Sequence, residues 1–378
     1  MTPAVIAAMD GAFRVVGNPS SVHSAGRAAR RLVEESRETI AAAVGCLPAE
    51  VVFTSGGTEA DNLAIKGMWM QRHREAPERT RLLVSAVEHH AVLDSALWLA
   101  TAEGAVVEQV PVDGFGAVRM GALRERIASD PASVALLSIM WANNEVGSLQ
   151  PLREVVALAR EFAIPVHSDA VQAFASEHVD FAASGLCAMT VSAHKYGGPM
   201  GVGALVIRRD VTPTPVLHGG GQERDIRSGT IPMPLIVGMA AAFQEGTARL
   251  DEHRASIAAL RDRLVSGVQQ LDLGAELRGH PTERLPGNAH FTFPGCEGDA
   301  LLMLLDAAGI QVSTGSACSA GVPEASHVLL AMGIDDAEAR GAVRFSLGRT
   351  TTGEDVDALL AALPDVVARV RRAGLMLR

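Results

Sequence analysis

Two short apolar segments of this chain end in side chains that could take part in chemistry. The run Val166–Asp169 ends in a carboxylate, and the run Ala188–Ala193 leads into a His-Lys pair that supplies the amine of Lys195. Both runs have the length and composition of buried strands. A lysine at the mouth of a buried sheet is desolvated, which lowers the pKa of its ammonium group and frees the amine as a nucleophile.

An amine and a carboxylate at two strand ends are what pyridoxal 5'-phosphate (PLP) chemistry needs. Lys195 would form a Schiff base with the cofactor. Asp169 would keep the pyridinium nitrogen protonated, so that the ring can accept electrons. Taken alone, however, such a pair is more often a helix-capping aspartate and a lysine on a surface turn. The hypothesis therefore depends on further residues.

A candidate anion site lies earlier in the chain. The predicted strand Glu50–Thr54 runs into two glycines, and Thr58 follows them at the start of a predicted helix that reaches about Trp69. Glycines let backbone N–H groups approach a phosphate, and a helix N-terminus favours an anion. Gly57 and Thr58 are the candidate contacts. The pattern lacks the Gly-Lys-Ser/Thr of a P-loop, and an ordinary capped helix explains it equally well.

Polar side chains also follow other predicted strands. His89 follows the run Leu82–Val87, where it could cap a helix or stack on a cofactor. A metal site is not expected there, because neighbouring histidines lack the spacing of a ligand pair on one helix face. Alternation of strands and helices predicts a mostly parallel sheet whose ligands bind beyond the carboxyl ends of its strands. Five side chains would collect at that edge: Thr58, His89, Asn144, Asp169 and Lys195.

The length of 378 residues predicts one large and one smaller domain. The pattern changes after about Leu250, so we expect a large α/β domain over residues 12–252 and a small α+β domain formed by residues 1–11 and 253–378. In the small domain, Arg344 lies on the predicted strand Val343–Leu347. Its guanidinium could bind a substrate carboxylate through two hydrogen bonds, although a surface ion pair is the simpler explanation.

Composition and charge limit the partners that the chain can have. Hydrophobic residues make up 48% of the sequence and charged residues 20%, which implies an ample core. The net charge of −10 argues against nucleic acid or an anionic membrane as a partner. No apolar run approaches the ~18 residues of a membrane span, and the N-terminus lacks the basic region of a signal peptide. We therefore expect a cytoplasmic protein.

The chain has four cysteines, and none of them forms a C-x-x-C pair. Three lie among apolar neighbours and are expected to be inert. Cys318 differs, because the small and polar segment Ser313–Gly321 around it would leave its thiol exposed. Exposure is a condition for thiol reactivity but does not establish it.

With these motifs in place, the sequence resembles the cysteine desulfurases, which are PLP enzymes of fold type I in the class V aminotransferase group. The resemblance implies a large, mostly parallel, seven-stranded type of sheet and a smaller α+β domain. The Cys318 loop resembles that of the NifS/IscS branch. The matching segments are Asn18–His23, Thr54–Asn62, Glu88–His89, Asn143–Glu145, Asp169–Gln172, Ser192–Lys195, Arg227–Thr230, Ser316–Cys318 and Val343–Arg349.

The resemblance also implies a role for each candidate residue. Lys195 would bind PLP covalently and move the Cα proton, with His89 stacked on the ring and assisting proton transfer. Asp169 would pair with the pyridinium nitrogen. The remaining contacts would be Gln172 and Asn144 at the ring hydroxyl, with Asn144 also at the substrate, and Gly57, Thr58, Ser192 and His194 at the phosphate. Thr230 would reach the phosphate of the other subunit, which implies a homodimer, and Arg344 would bind the carboxylate of L-cysteine.

The implied reaction is attack by the Cys318 thiolate on the substrate sulfur, which leaves a persulfide on Cys318 and releases alanine. An acceptor protein would then take the sulfur for iron–sulfur cluster assembly, tRNA thiolation or DNA phosphorothioation. The alternatives are another class V PLP enzyme, a selenocysteine lyase or an aminotransferase, and a non-catalytic PLP-fold partner. Family members usually carry a Leu-Asp-Asn-Ala-Ala-Thr-Thr segment before the residues matching Thr2-Pro3, so we expect an upstream start or an incomplete pocket.

Overall fold

A computed structural model describes residues 1–314 and 325–376. They form two compact units. The first contains residues 1–110, 120–141 and 151–250, and the second contains residues 111–119, 142–150 and those from Asp251 onward.

A seven-stranded sheet forms the centre of the first unit. Five neighbouring strands, in the order β3-β2-β4-β5-β6, are parallel, and β7 runs antiparallel between β6 and β1. The residues of most of these strands are buried, as expected for a sheet covered on both faces. The strands are β1 (Val51–Thr54), β2 (Arg81–Ser85), β3 (Val106–Val110), β4 (Val134–Ser138), β5 (Val166–Asp169), β6 (Ala188–Ser192) and β7 (Gly203–Ile207).

Eight α-helices belong to the described part of the first unit. They are α1 (Pro3–Phe13), α2 (Ser24–Val44), α3 (Gly57–Glu75), α4 (His90–Ala102), α5 (Met120–Ser129), α6 (Leu152–Glu161), α7 (Phe181–Ser184) and α8 (Met233–Ala248). Helix α3 matters most for the site, because its buried face packs on β5, β6 and β7.

The second unit has an antiparallel sheet with helices packed on it. The strand order is β10-β9-β8, and a cluster of buried apolar side chains joins this sheet to its helices. The elements are α9 (Leu250–Gln270), β8 (Glu276–Arg278), β9 (Asn288–Thr292), α10 (Gly298–Ala307), α11 (His327–Ala331), α12 (Asp336–Ala339), β10 (Ala342–Ser346) and α13 (Gly353–Met376).

The α/β class with a mostly parallel sheet is confirmed, but the unit boundaries differ from the predicted ones. Residues 1–11 lie in the first unit, because Val5 and Met9 of α1 pack against Ala242 of α8. Two segments from the middle of the chain, residues 111–119 and 142–150, lie in the second unit.

Candidate active site

Asp169 ends β5 at the carboxyl edge of the parallel strands. Its side chain is only 7% exposed and accepts a hydrogen bond of 2.8 Å from the N–H of Val171. Burial raises the pKa of Asp169 to about 6, although the Val171 N–H and the positive charge of Lys195 oppose the rise. The acid and the amine predicted to act together are therefore close enough to interact. Gln172 follows in the same turn and is half-buried.

Lys195 lies in a single 3₁₀ turn, Ala193–Tyr196, directly after β6. Its side chain is exposed, so the expectation of an amine desolvated at the sheet mouth is wrong for this chain. The turn carries the lysine past the buried end of the strand. Its charge instead lowers the pKa of Asp169, as well as the already lowered pKa values of the two imidazoles His89 and His194.

The N-terminus of α3 lies against the ends of the central strands. A Cβ atom added to Gly57 would be 3.0 Å from Cγ2 of Val171 and 3.7 Å from Cβ of Ser192. Among the described residues no side chain caps this helix, so its first N–H groups remain open to an anion. Thr58 is exposed on the first turn.

Hydroxyl and imidazole groups flank this helix end. The Oγ of Ser192 lies 2.9 Å from Nδ1 of His194. Burial, followed by the charge of Lys195, lowers the pKa of His194, which favours a neutral ring. Backbone N–H groups, a threonine and a serine hydroxyl, and an imidazole form a donor set that suits a phosphate.

An ion pair holds the segment that contains Thr230. Nε of Arg227 donates to Oε1 of Glu59 on α3 at 2.7 Å. The same carboxylate accepts from the N–H of Ser55 at 2.7 Å through Oε2. Thr230 itself is exposed in the isolated chain.

His89 caps α4, as one of the two interpretations of the sequence predicted. Its Nδ1 accepts a hydrogen bond of 3.1 Å from the N–H of Ala91. Burial lowers the pKa of His89, and the charges of His90 and Lys195 lower it further. The cap contact occupies the Nδ1 lone pair, so the neutral ring carries its proton on Nε2. His89 is thus held as a neutral ring that can donate a hydrogen bond.

In the second unit, Asn144 lies in a turn fixed by its neighbours. Oδ1 of Asn143 accepts from the N–H groups of Glu145 and Val146, both at 2.9 Å. Nη1 of Arg344, on β10, donates to the carbonyl oxygen of Asn144 at 2.8 Å.

Arg344 is half-buried, and its buried Nε has no hydrogen-bond partner among the described residues. Burial lowers its pKa, while the carboxylate of Glu145 opposes the change. A buried guanidinium with an unsatisfied N–H is suited to accept a carboxylate ligand.

Cys318 lies outside the described residues, but the residues on either side of that gap are anchored in the second unit. Ser313 and Arg344 exchange backbone hydrogen bonds of 3.2 and 2.6 Å. The hydroxyl of Ser326 hydrogen-bonds the carboxylate of Glu145.

Sequence reasoning missed a set of buried polar side chains in the sheet near Asp169. Each lies on α3 or on a central strand, or directly follows one, and is at most 2% exposed. The available signals were the acid in the Thr54–Asn62 segment and a histidine two residues before Asp169. The set consists of Asp61, Glu88, Ser138, His167 and Thr190.

These observations fit PLP in the first unit. Asp169 offers an acid for a pyridinium nitrogen, Lys195 an amine whose charge acts on that acid, and the start of α3 an uncapped anion site. Together with a mostly parallel seven-stranded sheet, they define the class of PLP-dependent enzymes of fold type I.

Comparison with known proteins narrows this class. Residues 1–359 match the family model described as aminotransferase class-V. The IscS-like cysteine desulfurase of Mycobacterium tuberculosis is 56% identical over 99% of this chain and 95% of its own length. The cysteine desulfurase IscS of Methanosarcina thermophila is 42% identical over 94% of this chain and 86% of its own length.

A solved structure of a NifS-like protein superposes with a TM-score of 0.90 at 35% identity, covering 98% of this chain and 96% of the other. The chain therefore belongs to the cysteine desulfurases of the class V aminotransferase family.

Proposed function

We propose that this protein removes sulfur from L-cysteine, releases L-alanine and holds the sulfur as a persulfide on Cys318. The observation that carries the proposal is the electrostatic interaction between Asp169 and Lys195, which end or follow neighbouring strands, in a chain that belongs to the cysteine desulfurases. The exposed amine and the buried acid provide the two groups that PLP chemistry requires.

PLP, when bound, withdraws electrons from the Cα of the amino acid. Asp169 would keep the pyridinium nitrogen protonated, and Gln172 would hydrogen-bond the ring hydroxyl. His89 would orient the ring by stacking, which its fixed cap contact supports. Transfer of a proton through His89 would first require the contact with Ala91 to break. The phosphate contacts are Gly57, Thr58, Ser192, His194 and Thr230.

Lys195 moves the proton of the substrate Cα, which its exposed position allows. Arg344 binds the substrate carboxylate, as its buried, unsatisfied Nε supports. Asn144 would contact the ring hydroxyl and the substrate. Because Arg344 holds the carbonyl oxygen of Asn144, the two substrate contacts form one unit.

The sulfur moves from the substrate to Cys318 by nucleophilic attack. The Cys318 thiolate attacks the substrate sulfur and forms an S–S bond. The Cβ–S bond breaks, its electron pair stays with Cβ, and Cβ takes a proton to give alanine. The persulfide sulfur then passes to an acceptor protein.

We further propose that the protein is a cytoplasmic homodimer in which Thr230 binds the phosphate of the other subunit. Among the described residues no helix is long and apolar enough to cross a membrane. The net charge of −10 supports an acceptor that is a protein and not nucleic acid or membrane. The sulfur would serve iron–sulfur cluster assembly, tRNA thiolation or DNA phosphorothioation.

The Cys318→Ala variant tests this proposal. We expect it to bind PLP with the wild-type visible absorption band but to release neither sulfide nor alanine from L-cysteine beyond background. Cys187→Ala, which removes a half-buried thiol elsewhere, serves as the matched control and should keep full activity. Full activity of Cys318→Ala would favour another class V enzyme. A purified wild-type protein that binds no PLP would favour a non-catalytic partner.

A further inference from the structure

A chain of polar side chains crosses the sheet beside Asp169. The carboxyl group of Asp61, on α3, lies beside the hydroxyl of Thr190. Oγ1 of Thr190 lies 3.1 Å from Nε2 of His167, and Nδ1 of that ring lies 2.9 Å from Oγ of Ser138. Asp61 is 1% exposed, and the other three are fully buried.

The strand register places this chain directly next to Asp169. Thr190 lies opposite Asp169 between β6 and β5, and Ser138 lies opposite His167 between β4 and β5. His167 and Asp169 are two residues apart on one strand, so both side chains point to the same face of the sheet. A shift of these polar side chains would therefore also move Asp169.

Among the described residues no cation compensates Asp61. The negative charges of Asp169 and Glu88 repel its ionised form. Its Oδ1 lies 3.7 Å from Nε2 of His167. Burial lowers the pKa of His167 to about 3, so this ring is neutral. An unpaired buried charge is costly.

Protonation is the way for Asp61 to avoid that cost. Burial, followed by repulsion from Asp169, raises the pKa of Asp61 well above its usual range. Glu88, which accepts from the N–H of Met140 at 2.6 Å, has a pKa raised chiefly by burial as well. The charge of Lys195 favours ionisation of Asp169.

We propose that Asp61 is a positioning residue that acts as a neutral acid and, through Thr190, holds Asp169 in place for the pyridinium nitrogen of PLP. The inference rests on the proposed role of Asp169. In the acid form Asp61 can donate to Thr190, Thr190 to His167, and His167 to Ser138. The side chains from Asp61 to Ser138 then carry no charge, and the negative charge resides on Asp169.

The test compares three variants of the full-length protein loaded with PLP. Asp61→Asn keeps a neutral donor and acceptor of the same shape, whereas Asp61→Ala removes both. Met68→Ala is the matched control, because Met68 is buried on the same helix and is not part of the polar chain. The readouts are the dissociation constant of PLP, the pH midpoint of its visible absorption band and the melting temperature without PLP.

We expect Asp61→Asn to keep both PLP readouts at their wild-type values. Asp61→Ala should weaken PLP binding by about tenfold and shift the pH midpoint. Loss of a residue that supports a ligand-binding side chain has effects of this size in metal sites. Met68→Ala should lower only the melting temperature. The inference is overturned if Asp61→Asn shifts the midpoint by about one unit, since Asp61 would then carry a charge. It is also overturned if Asp61→Ala leaves both PLP readouts unchanged. If the wild-type protein forms no visible band, the proposed function fails first.

Discussion

Asp169 has a carboxyl group on which two opposing influences act. Its burial favours the neutral acid, while the Val171 N–H and the Lys195 ammonium group favour the anion. The balance leaves a pKa of about 6, above the usual range of an aspartate. A pyridinium cation would add a third influence and favour the anion further.

This balance predicts how the stability of the PLP-free protein depends on pH. Because the pKa of Asp169 is raised in the folded protein, the folded form binds this proton more tightly than the unfolded form. Proton binding therefore stabilises the fold at low pH, and this stabilisation is lost as the pH rises through about 6. We expect the free energy of unfolding of the wild-type protein to fall by about 1–2 kcal/mol between pH 5 and pH 7.5, relative to that of Asp169→Asn. Urea unfolding of both proteins at the two pH values measures this difference, and parallel curves would contradict it.

Added PLP should reverse the trend, because a pyridinium partner lowers the pKa of Asp169. The gain in melting temperature with PLP should therefore be larger for the wild-type protein than for Asp169→Asn at pH 7.5.

At the residue scale, the sequence predicted which residues stand at strand ends but not what surrounds them. Asp169 and Lys195 could be selected because acids and amines that end apolar runs are visible as a pattern. Asp61 could not, because its significance comes from a neighbour that is distant in sequence, Thr190 on β6. The exposure of Lys195 was also not predictable, since it depends on a single turn after β6.

At the scale of elements, the position of α3 determines the anion site. Gly57 allows its first turn to lie against Val171 and Ser192. A β-carbon at this position would meet the Val171 side chain at a distance tighter than ordinary van der Waals contact. Either the Val171 side chain or the helix start would have to shift to relieve this contact.

The Gly57→Ala variant should therefore weaken PLP binding by about tenfold or more, because the helix N–H groups would be displaced from the phosphate. Gly11→Ala, in the interior of α1, is the control. A β-carbon there meets no atom within 4 Å, and PLP binding should be unchanged. Fluorescence titration with PLP gives both dissociation constants. Equal affinities for the two variants would rule out this role of α3.

Many element positions followed from the sequence to within a few residues. The predicted strand over residues 50–54 is β1, which spans Val51–Thr54. The predicted strand over residues 343–347 is β10, shifted by one residue. The antiparallel direction of β7 was not predictable, because a fully buried strand has the same composition in either direction.

At the scale of the whole molecule, the proposed homodimer gives each site a threonine from the other chain. Thr230 is exposed in the isolated chain, and its segment is anchored by the ion pair between Arg227 and Glu59. These features agree with a contact made to a second subunit.

Hybrid dimers test this arrangement without a change in the fold. A dimer of one Lys195→Ala chain and one Thr230→Val chain should contain one fully intact site, because Lys195 and Thr230 of that site come from different chains. Half of the chains should then bind PLP with wild-type affinity, whereas a Thr230→Val homodimer should bind it more weakly. If Thr230 instead acts within its own chain, no site in the hybrid is intact and wild-type affinity is not recovered.

The proposed reaction depends on which thiol receives the sulfur. Burial raises the pKa of Cys46 to about 12 and also raises that of Cys296, so both thiols are poor nucleophiles. The third described thiol, Cys187, is only half-buried. Because none of these thiols lies in a small and polar sequence segment like the one around Cys318, only Cys318 is expected to be reactive.

Mass spectrometry of the PLP-loaded protein after brief incubation with L-cysteine, followed by alkylation and peptide mapping, tests the central claim most directly. The account predicts a mass increment of one sulfur atom on the peptide with Cys318, together with one alanine released per persulfide. Alanine release with unmodified Cys318, or the added sulfur on Cys46, Cys187 or Cys296, would contradict it.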